Sequence, residues 1–248
     1  MYQSRQNFAQ VHMRLFYQMA NSFYQIDNNS GLFLDLGANI GTTGIYFLKK
    51  LTPNLKLLAF EPDAENFKML RLNLILNDLE EKTIAENYGL GIEESEQVMY
   101  RAATNPGANT LIEENTLNKR YTGLSTATVK IISLDKYFEE KNLNAEDIKY
   151  IWIDTEGFEP QVLLGAQNIL RKNPAPIFME FNPQLWQKSG FYEKMMELLS
   201  ELYESYIWIE EALSTSKAIT YPLEKLWEFQ NFTADCGELG DIFLIKKS

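Results

Sequence analysis

The chain has 248 residues, of which 45% are hydrophobic and 13% aromatic, enough to fill the core of one α/β domain. Its formal net charge of −11 at pH 7 would repel a phosphate backbone, so nucleic acid is not an expected partner. The single cysteine, Cys236, cannot form an internal disulfide or a multi-thiolate metal site and suits a reducing compartment. The sequence shows no signal-peptide pattern and no run of about 20 apolar residues. We therefore expect a cytoplasmic protein without a membrane partner.

Hydrophobic periodicity predicts one helix ahead of the core. Apolar residues recur there at three- and four-residue steps, which is typical of an amphipathic helix. These residues are Phe8, Val11, Leu15, Met19 and Phe23. We assign residues 1–29 to this helical cover, which is expected to pack on the sheet or to cover a ligand. Residues 30–248 are assigned to the core of the same single domain, because no repeat or linker marks a second one.

Strands and helices alternate through the core. The predicted strands, drawn from short apolar runs, are residues 32–36, 55–60, 83–88, 150–154, 177–180, 206–209 and 241–245. The predicted helices are residues 42–50, 64–77, 160–170 and 191–204. Residues 93–135 break the alternation with two strands around a turn, which predicts a β insertion near the edge of the sheet. Because βα units give parallel strands, a ligand is expected outside their carboxyl ends.

A glycine-rich turn, Asp35 to Gly44, follows the first predicted strand and opens a helix. Gly37 and Gly41 allow the backbone to turn tightly and to approach a ligand, while the helix N-terminus offers free N–H groups. Asn39 stands where the dinucleotide fingerprint requires its second glycine, which counts against a nicotinamide or flavin dinucleotide. The turn therefore predicts another nucleotide-like ligand and disfavours an oxidoreductase.

An acid follows the second predicted strand, in Phe60-Glu61-Pro62-Asp63. A carboxylate at this place can accept hydrogen bonds from both hydroxyls of a ribose. A glutamate after a strand can also cap the next helix. Next to the glycine turn, the ribose interpretation of Glu61 is the stronger one.

Three carboxylates lie within six residues after the strand at 150–154, in Asp154-Thr155-Glu156-Gly157-Phe158-Glu159. If they are buried together, each needs a partner or a shifted pKa. Alternatively, Asp154 and Glu156 cap the helix that begins near Pro160.

Five other polar positions carry weaker signals. His12, the one histidine, is either an ordinary helix residue or an imidazole base on a lid. Asn109 and Thr110 follow a loop glycine and could reach the site, but we assign them to a turn. Asp154, Glu180 and Asn182 could supply oxygen ligands to Mg²⁺, but Glu180 and Asn182 equally fit strand-end hydrogen bonding, and we assign no metal.

These segments together resemble the FkbM-type methyltransferases. The resemblance is carried, in order, by Phe33 to Gly41, Phe60 to Asp63, Ile132 to Asp135, and Ile153 to Glu159 with Leu164-Gly165-Ala166. It implies a class I methyltransferase fold: a Rossmann-like α/β domain with a seven-stranded, mostly parallel sheet, a reversed last strand and helices on both faces. It also implies S-adenosylmethionine as the cofactor.

The resemblance further assigns the site residues. The turn would hold the amino-acid part of the cofactor through Asp35, Gly37, Asn39 and Gly41, and Glu61 with Pro62 would hold its ribose. Asn87 and Tyr88 would contact the adenine. Asp154 and Glu156 would lie beside the sulfonium, where we expect either carboxylate to act as the base.

The family commonly O-methylates small molecules, so a hydroxyl of a sugar, polyketide or other natural product is the predicted acceptor. N-methylation, carboxyl methylation and a non-catalytic interaction domain remain alternatives. A homodimer or a partner in a biosynthetic assembly line is also possible.

Overall fold

The structure, a computed structural model, describes residues 2–102, 105–113, 125–228 and 240–247, so Cys236 lies outside it. Its strands are β1 (Leu32–Leu36), β2 (Lys56–Phe60), β3 (Thr83–Glu86), β4 (Gly89–Leu90), β5 (Ser95–Arg101), β6 (Ser125–Ile132), β7 (Ile148–Ile153), β8 (Ile177–Phe181), β9 (Tyr203–Trp208), β10 (Thr220–Pro222) and β11 (Gly240–Lys246). Its α-helices are α1 (Tyr2–Tyr24), α2 (Thr42–Lys50), α3 (Ala64–Leu76), α4 (Leu134–Glu140), α5 (Glu159–Leu164), α6 (Gln167–Lys172), α7 (Pro183–Lys188), α8 (Tyr192–Leu202), α9 (Ile209–Thr215) and α10 (Lys225–Glu228). Short 3-10 helices cover Glu80–Lys82, Pro106–Ala108 and Ala145–Asp147.

The main sheet has the strand order β10-β9-β11-β8-β7-β1-β2-β3. Strands β3, β2, β1, β7 and β8 pair in parallel, whereas β11 is antiparallel to both of its neighbours, β8 and β9. This arrangement confirms the predicted α/β fold with a mostly parallel sheet and a reversed last strand. In the described part of the chain the sheet has eight strands instead of seven. The additional strand, β10, pairs antiparallel with β9 and is too short to show an apolar pattern.

The predicted insertion forms a second, three-stranded sheet in the order β4-β6-β5. The predicted third strand, residues 83–88, ends early at Glu86, and the chain then joins this second sheet through β4, whose Gly89 pairs with Ile131. Leu90 and Ile132 are buried in the main core. The insertion is therefore packed against the carboxyl side of the main sheet.

Helices cover both faces of the main sheet, as predicted. One face packs against α4, α5, α6 and α8, and the opposite face packs against α1, α2, α3 and α9. The helix predicted over residues 160–170 is divided into α5 and α6 at Gly165. A Cβ at Gly165 would lie 1.9 Å from the carbonyl oxygen of Gly91, so the second sheet approaches too closely for any other residue. None of the described helices is long and apolar enough to cross a membrane.

Helix α1 lies on the sheet and buries a face that only partly coincides with the predicted one. Met19 is buried, as expected, and Leu15 packs partly buried against the core. Val11 and Phe23, also expected on the buried side, are 48% and 40% exposed, and the side chain of Phe8 lies outside the described part. Phe16 is fully buried, with its ring centroid 5.6 to 6.0 Å from those of four sheet aromatics. The helix contains apolar residues on more than one side, and the fit of Phe16 among these rings selects the buried one.

Candidate active site

A cleft opens at the carboxyl ends of β1, β2 and β7, where the parallel sheet was expected to bind its ligand. Seven of the predicted site residues line it: Gly37, Asn39, Glu61, Pro62, Tyr88, Asp154 and Glu156. Asp35, Gly41 and Asn87 are not among the lining residues. Their positions, described below, support the walls of the cleft.

The glycine turn joins the ends of three strands. Gly37 has a φ of +95°, and a Cβ there would lie 1.9 Å from the carbonyl oxygen of Asp154, so only glycine fits between β1 and β7. The N–H groups of Gly37 and Ala38 both donate to the carbonyl of Phe60 at the end of β2. The buried Asp35 accepts a 2.9 Å hydrogen bond from the Gly44 N–H through Oδ2 and thereby anchors α2. Gly41, at a φ of +86°, is the residue before this helix.

Glu61 is buried at the wall of the cleft. Its Oε2 accepts from the Asn39 N–H and its Oε1 accepts from the Asp63 N–H, both at 2.8 Å. Burial raises its pKa to about 7, although these hydrogen bonds favour the ionised form. Each carboxylate oxygen has a second lone pair, so Glu61 retains the capacity to accept from a ligand. The helix α3 is capped by Asp63 instead, which removes the capping alternative for Glu61.

Asn87 supports this loop from behind. Its Nδ2 donates to the carbonyls of Glu61 at 2.8 Å and Pro62 at 3.0 Å. The Nδ2 group of Asn87 thus positions the loop after β2, and the adenine contact predicted for Asn87 stays a prediction, while its neighbour Tyr88 lines the cleft.

Glu159 organises the acidic turn, and the sequence reasoning missed this role. The residue is fully buried. Its Oε1 accepts from the N–H and the hydroxyl of Thr155, at 2.9 and 2.8 Å, and its Oε2 accepts from Trp186 Nε1 at 2.7 Å. The turn itself places Glu156 and Gly157 at φ values of +52° and +99°, a strained geometry for Glu156 that these bonds help to hold.

Asp154 and Glu156 line the cleft and do not cap α5. The residue before α5 is Phe158, and that helix end has no side-chain cap. Asp154 is exposed where the cleft opens. Desolvation, together with the charge of Glu159, raises its pKa to about 6. A carboxylate with such a pKa can take up a proton near neutral pH.

The second sheet forms the remaining wall of the cleft. Met99, Gly107, Asn109 and Leu111 all line it, so the turn assigned to Asn109 and Thr110 belongs to the site. The hydroxyl of Thr110 donates to the Glu156 carbonyl at 2.9 Å.

The second sheet is also tied to the β2 end of the cleft. Arg101 pairs with Asp63 at 2.5 Å. A loop glycine next to polar residues was the one sequence signal for this wall.

The weaker candidates lie elsewhere. His12 lies on the buried side of α1, where its ring contacts Phe178 edge-on. It is not among the residues that line the cleft. Asn182 uses its Oδ1 to cap α7, accepting from the Leu185 N–H at 3.3 Å. One lone pair of its amide oxygen is therefore engaged, and the Mg²⁺ site with Asp154 and Glu180 stays a hypothesis.

The cleft residues fit the predicted cofactor. Asn39 Oδ1 is buried and accepts no hydrogen bond within the described residues, so it can receive a donor such as the amino group of a methionine moiety. The carboxylate of Glu61 stands where ribose hydroxyls would donate, and Asp154 provides negative charge for a cationic sulfur. These three acceptors lie along one cleft.

Two sequence comparisons relate this chain to known methyltransferases. The sequence profile of the methyltransferase FkbM domain matches residues 35–206. The methyltransferase sdnD of Sordaria araneosa is 26% identical over 201 residues, which cover 72% of this chain and 76% of that protein.

Two crystal structures are also similar to this chain. Methyltransferase FkbM from Methylobacillus flagellatus KT has a TM-score of 0.49 and 12% identity over 87% of this chain, which spans only 44% of that longer chain. The O-methyltransferase from Bacillus cereus in complex with SAH has a TM-score of 0.49 and 11% identity, with coverage of 96% and 81%.

The strand order, the glycine turn and the acid after β2 define a Rossmann-like protein of the class I methyltransferase kind. The profile match covers more than half of the sequence, and the chain belongs to the FkbM methyltransferase family. Membership confirms the resemblance predicted from the sequence and the predicted methyl donor, S-adenosylmethionine.

Proposed function

We propose that this protein transfers a methyl group from S-adenosylmethionine to a hydroxyl oxygen of a small molecule. The observation that carries the proposal is the Asp154 carboxyl group, which opens on the cleft and has its pKa raised to about 6. A hydroxyl must lose its proton as it is methylated, and a base works best when its pKa is near the working pH. The carboxylate of Glu156 lines the same cleft and is the second candidate base.

The cofactor supplies a methyl group on a positively charged sulfur, which an oxygen can displace in line. In our proposal Glu61 accepts hydrogen bonds from the ribose and Asn39 Oδ1 accepts from the amino group, while Tyr88 lies against the adenine. The negative charge of Asp154 attracts the cationic donor. The turn held by Glu159 fixes Asp154 relative to the glycine turn, so positioning contributes to the rate.

The charge of the site discriminates between acceptor classes. Burial raises the pKa of Glu180 at this edge of the sheet, and the charges of Glu159, Glu156, Asp154 and Asp241 raise it further. A carboxylate acceptor would be repelled here, which disfavours carboxyl methylation. An amine would be attracted, but the acidic surroundings favour its protonated, non-nucleophilic form. A neutral hydroxyl of a sugar, polyketide or other natural product suits the site best.

The proposed setting is a cytoplasmic biosynthetic enzyme. The acidic surface, with a net charge of −11, supports a small-molecule acceptor over nucleic acid. A homodimer or docking to a biosynthetic assembly line is compatible with this proposal.

The first experiment compares Asp154→Asn, Glu156→Gln and the double variant in single-turnover methyl transfer at saturating donor. Loss of the base should lower the rate about 10²- to 10⁴-fold with little change in melting temperature. Glu96→Gln is the matched control, since Glu96 is exposed on β5 and outside the cleft. Normal rates in the double variant would refute the catalytic role.

A second experiment identifies the methylated atom. One sugar scaffold is offered in alcohol, amine and carboxylate forms with a labelled methyl donor. A methyl ether survives mild alkali, whereas a methyl ester is hydrolysed and a methylated amine remains cationic. Label in the ester or amine product would overturn O-methylation. Binding of S-adenosylhomocysteine without transfer to any acceptor would favour the non-catalytic alternative.

A further inference from the structure

A second cluster of ligand-type side chains lies outside the cleft, where α1 and α9 meet β11. His12 comes from α1, Glu210 from the first turn of α9, and Asp241 from β11. One ligand atom from each lies within 4.8 Å of the others, and this is the one such group found among the described residues. His12 Nε2 lies 3.7 Å from Asp241 Oδ2. None of the three side chains lines the methyl-transfer cleft.

Two of these side chains, Glu210 and His12, are held in place by neighbouring groups. Both carboxylate oxygens of Glu210 accept from the Asp241 N–H, at 3.0 and 3.2 Å. His12 is 2% exposed and its ring is held edge-on against Phe178. Three secondary-structure elements that are distant in the sequence thus present nitrogen and oxygen atoms to one small volume.

The cluster contains more negative charge than the nearby residues compensate. Asp241 pairs in register with Glu180, so their side chains emerge on the same face of the sheet. Within the described ranges, neither Asp241 nor Glu180 forms an ion pair with a lysine or arginine, and Glu180 Oε2 is buried without a hydrogen bond. Buried carboxylates without cationic partners are costly.

We infer that His12, Glu210 and Asp241 bind one divalent first-row metal ion such as Zn²⁺ or Mn²⁺. An imidazole with two carboxylates is a donor set that suits these ions. Ligand atoms about 2.0–2.2 Å from a metal lie at most about 4.4 Å apart, so small side-chain movements would bring the observed atoms to ligand positions. The ion joins α1 and α9 to the reversed strand β11 and neutralises the cluster. The alternative is that His12 and Asp241 form an ion pair and that the cluster binds no metal.

Calorimetric titration of the tag-free chain with Zn²⁺ and with Mn²⁺ tests the inference. Cys236→Ser serves as the background, because a thiol would add its own zinc affinity. We expect one ion per chain, and at least a tenfold loss of affinity in Asp241→Asn and in Glu210→Gln. Glu211→Gln is the matched control: it is the next residue on α9, but its carboxylate accepts from the Tyr221 hydroxyl. If Asp241→Asn does not fold, Glu210→Gln alone carries the comparison.

His12 gives an independent readout because it is the one histidine of the chain. Its imidazole ¹⁵N resonances can be observed without overlap from another histidine, and Zn²⁺ should shift them at one equivalent. The melting temperature should rise with Zn²⁺ in the background chain and in Glu211→Gln, but not in Glu210→Gln. Unchanged imidazole resonances, or zinc binding that survives both ligand substitutions, would overturn the site. Neither measurement uses methyl transfer, so a failure of the metal-site inference would leave the proposed function unaffected.

Discussion

Replacement of Glu61 by glutamine should separate two consequences of one buried carboxylate. Its pKa rises from 4.5 to about 7 on folding, and burial is the largest cause. Between pH 4.5 and about pH 7, Glu61 is therefore protonated in the folded protein but ionised in the unfolded chain. The stability of the folded protein falls as the pH rises through this range. Each pKa unit corresponds to about 1.36 kcal/mol, so the ionised form costs about 3 kcal/mol. The amide of glutamine resembles the protonated acid and avoids this cost.

Glutamine can accept from only one of the Asn39 and Asp63 N–H groups, so we expect Glu61→Gln to be about 1–3 kcal/mol less stable than the parent below pH 4.5. Its relative stability should then rise by about 3 kcal/mol up to about pH 7 and remain constant above it, which corresponds to a relative gain of roughly 6–12 °C in melting temperature. The affinity for S-adenosylhomocysteine should fall roughly 10- to 150-fold, because hydrogen bonds from the ribose to a charged acceptor are worth about 1.5–3 kcal/mol.

Urea unfolding of the ligand-free chain at several pH values measures the first effect, and calorimetric titration at pH 8 measures the second. Glu65→Gln is the control, since Glu65 is exposed on α3. A stability difference that does not vary with pH would refute the burial argument. Unchanged affinity would remove Glu61 from the ribose site.

Three further predictions concern the turns around the cleft. Gly37→Ala should lower the free energy of unfolding by at least about 1–3 kcal/mol, because the new Cβ would lie 1.9 Å from a carbonyl oxygen; an unchanged urea midpoint would contradict this. Glu159→Gln should lower the free energy of unfolding by about 1–3 kcal/mol, since an amide cannot accept from both Thr155 and Trp186. It should also slow methyl transfer. A normal unfolding free energy together with a normal transfer rate would show that the acidic turn does not depend on Glu159.

The affinity for S-adenosylmethionine should rise between pH 5 and 7 more than that for S-adenosylhomocysteine, because the carboxyl of Asp154, with a pKa of about 6, must release its proton to face a positive sulfur. Parallel pH profiles for the two ligands in calorimetry would exclude this contact.

The elements that the sequence predicts well depend on local chemistry. β1, β2, β7 and β8 are short apolar runs, and their paired register brings Leu36, Phe60 and Ile153 to one edge. The glycine turn and the acid after β2 follow directly from those strand ends, which is why Gly37 and Glu61 were found. Parallel topology then places them in one cleft without further information.

The features that the sequence does not reveal depend on contacts between distant residues. Glu159 acts through Trp186, 27 residues further on, and nothing local distinguishes it from the acids that precede it. The same holds for Thr110, which bonds a carbonyl 46 residues away, and for the buried face of α1, selected by aromatic rings on three strands. Local periodicity cannot encode such choices.

The position of β11 has a consequence for how the protein is made. This strand is the last of the described ones to be synthesised, yet it lies between β8 and β9, which are made earlier. Until it emerges from the ribosome, β8 and β9 each expose an unpaired edge, and such edges invite pairing with other chains. The nascent chain can assemble β1, β2, β3, β7 and β8 during translation, but β9 and β10 can join this sheet only after β11 has been made. Chaperones that shield strand edges should therefore engage this chain after β9 has been made, and release it once β11 has entered the gap.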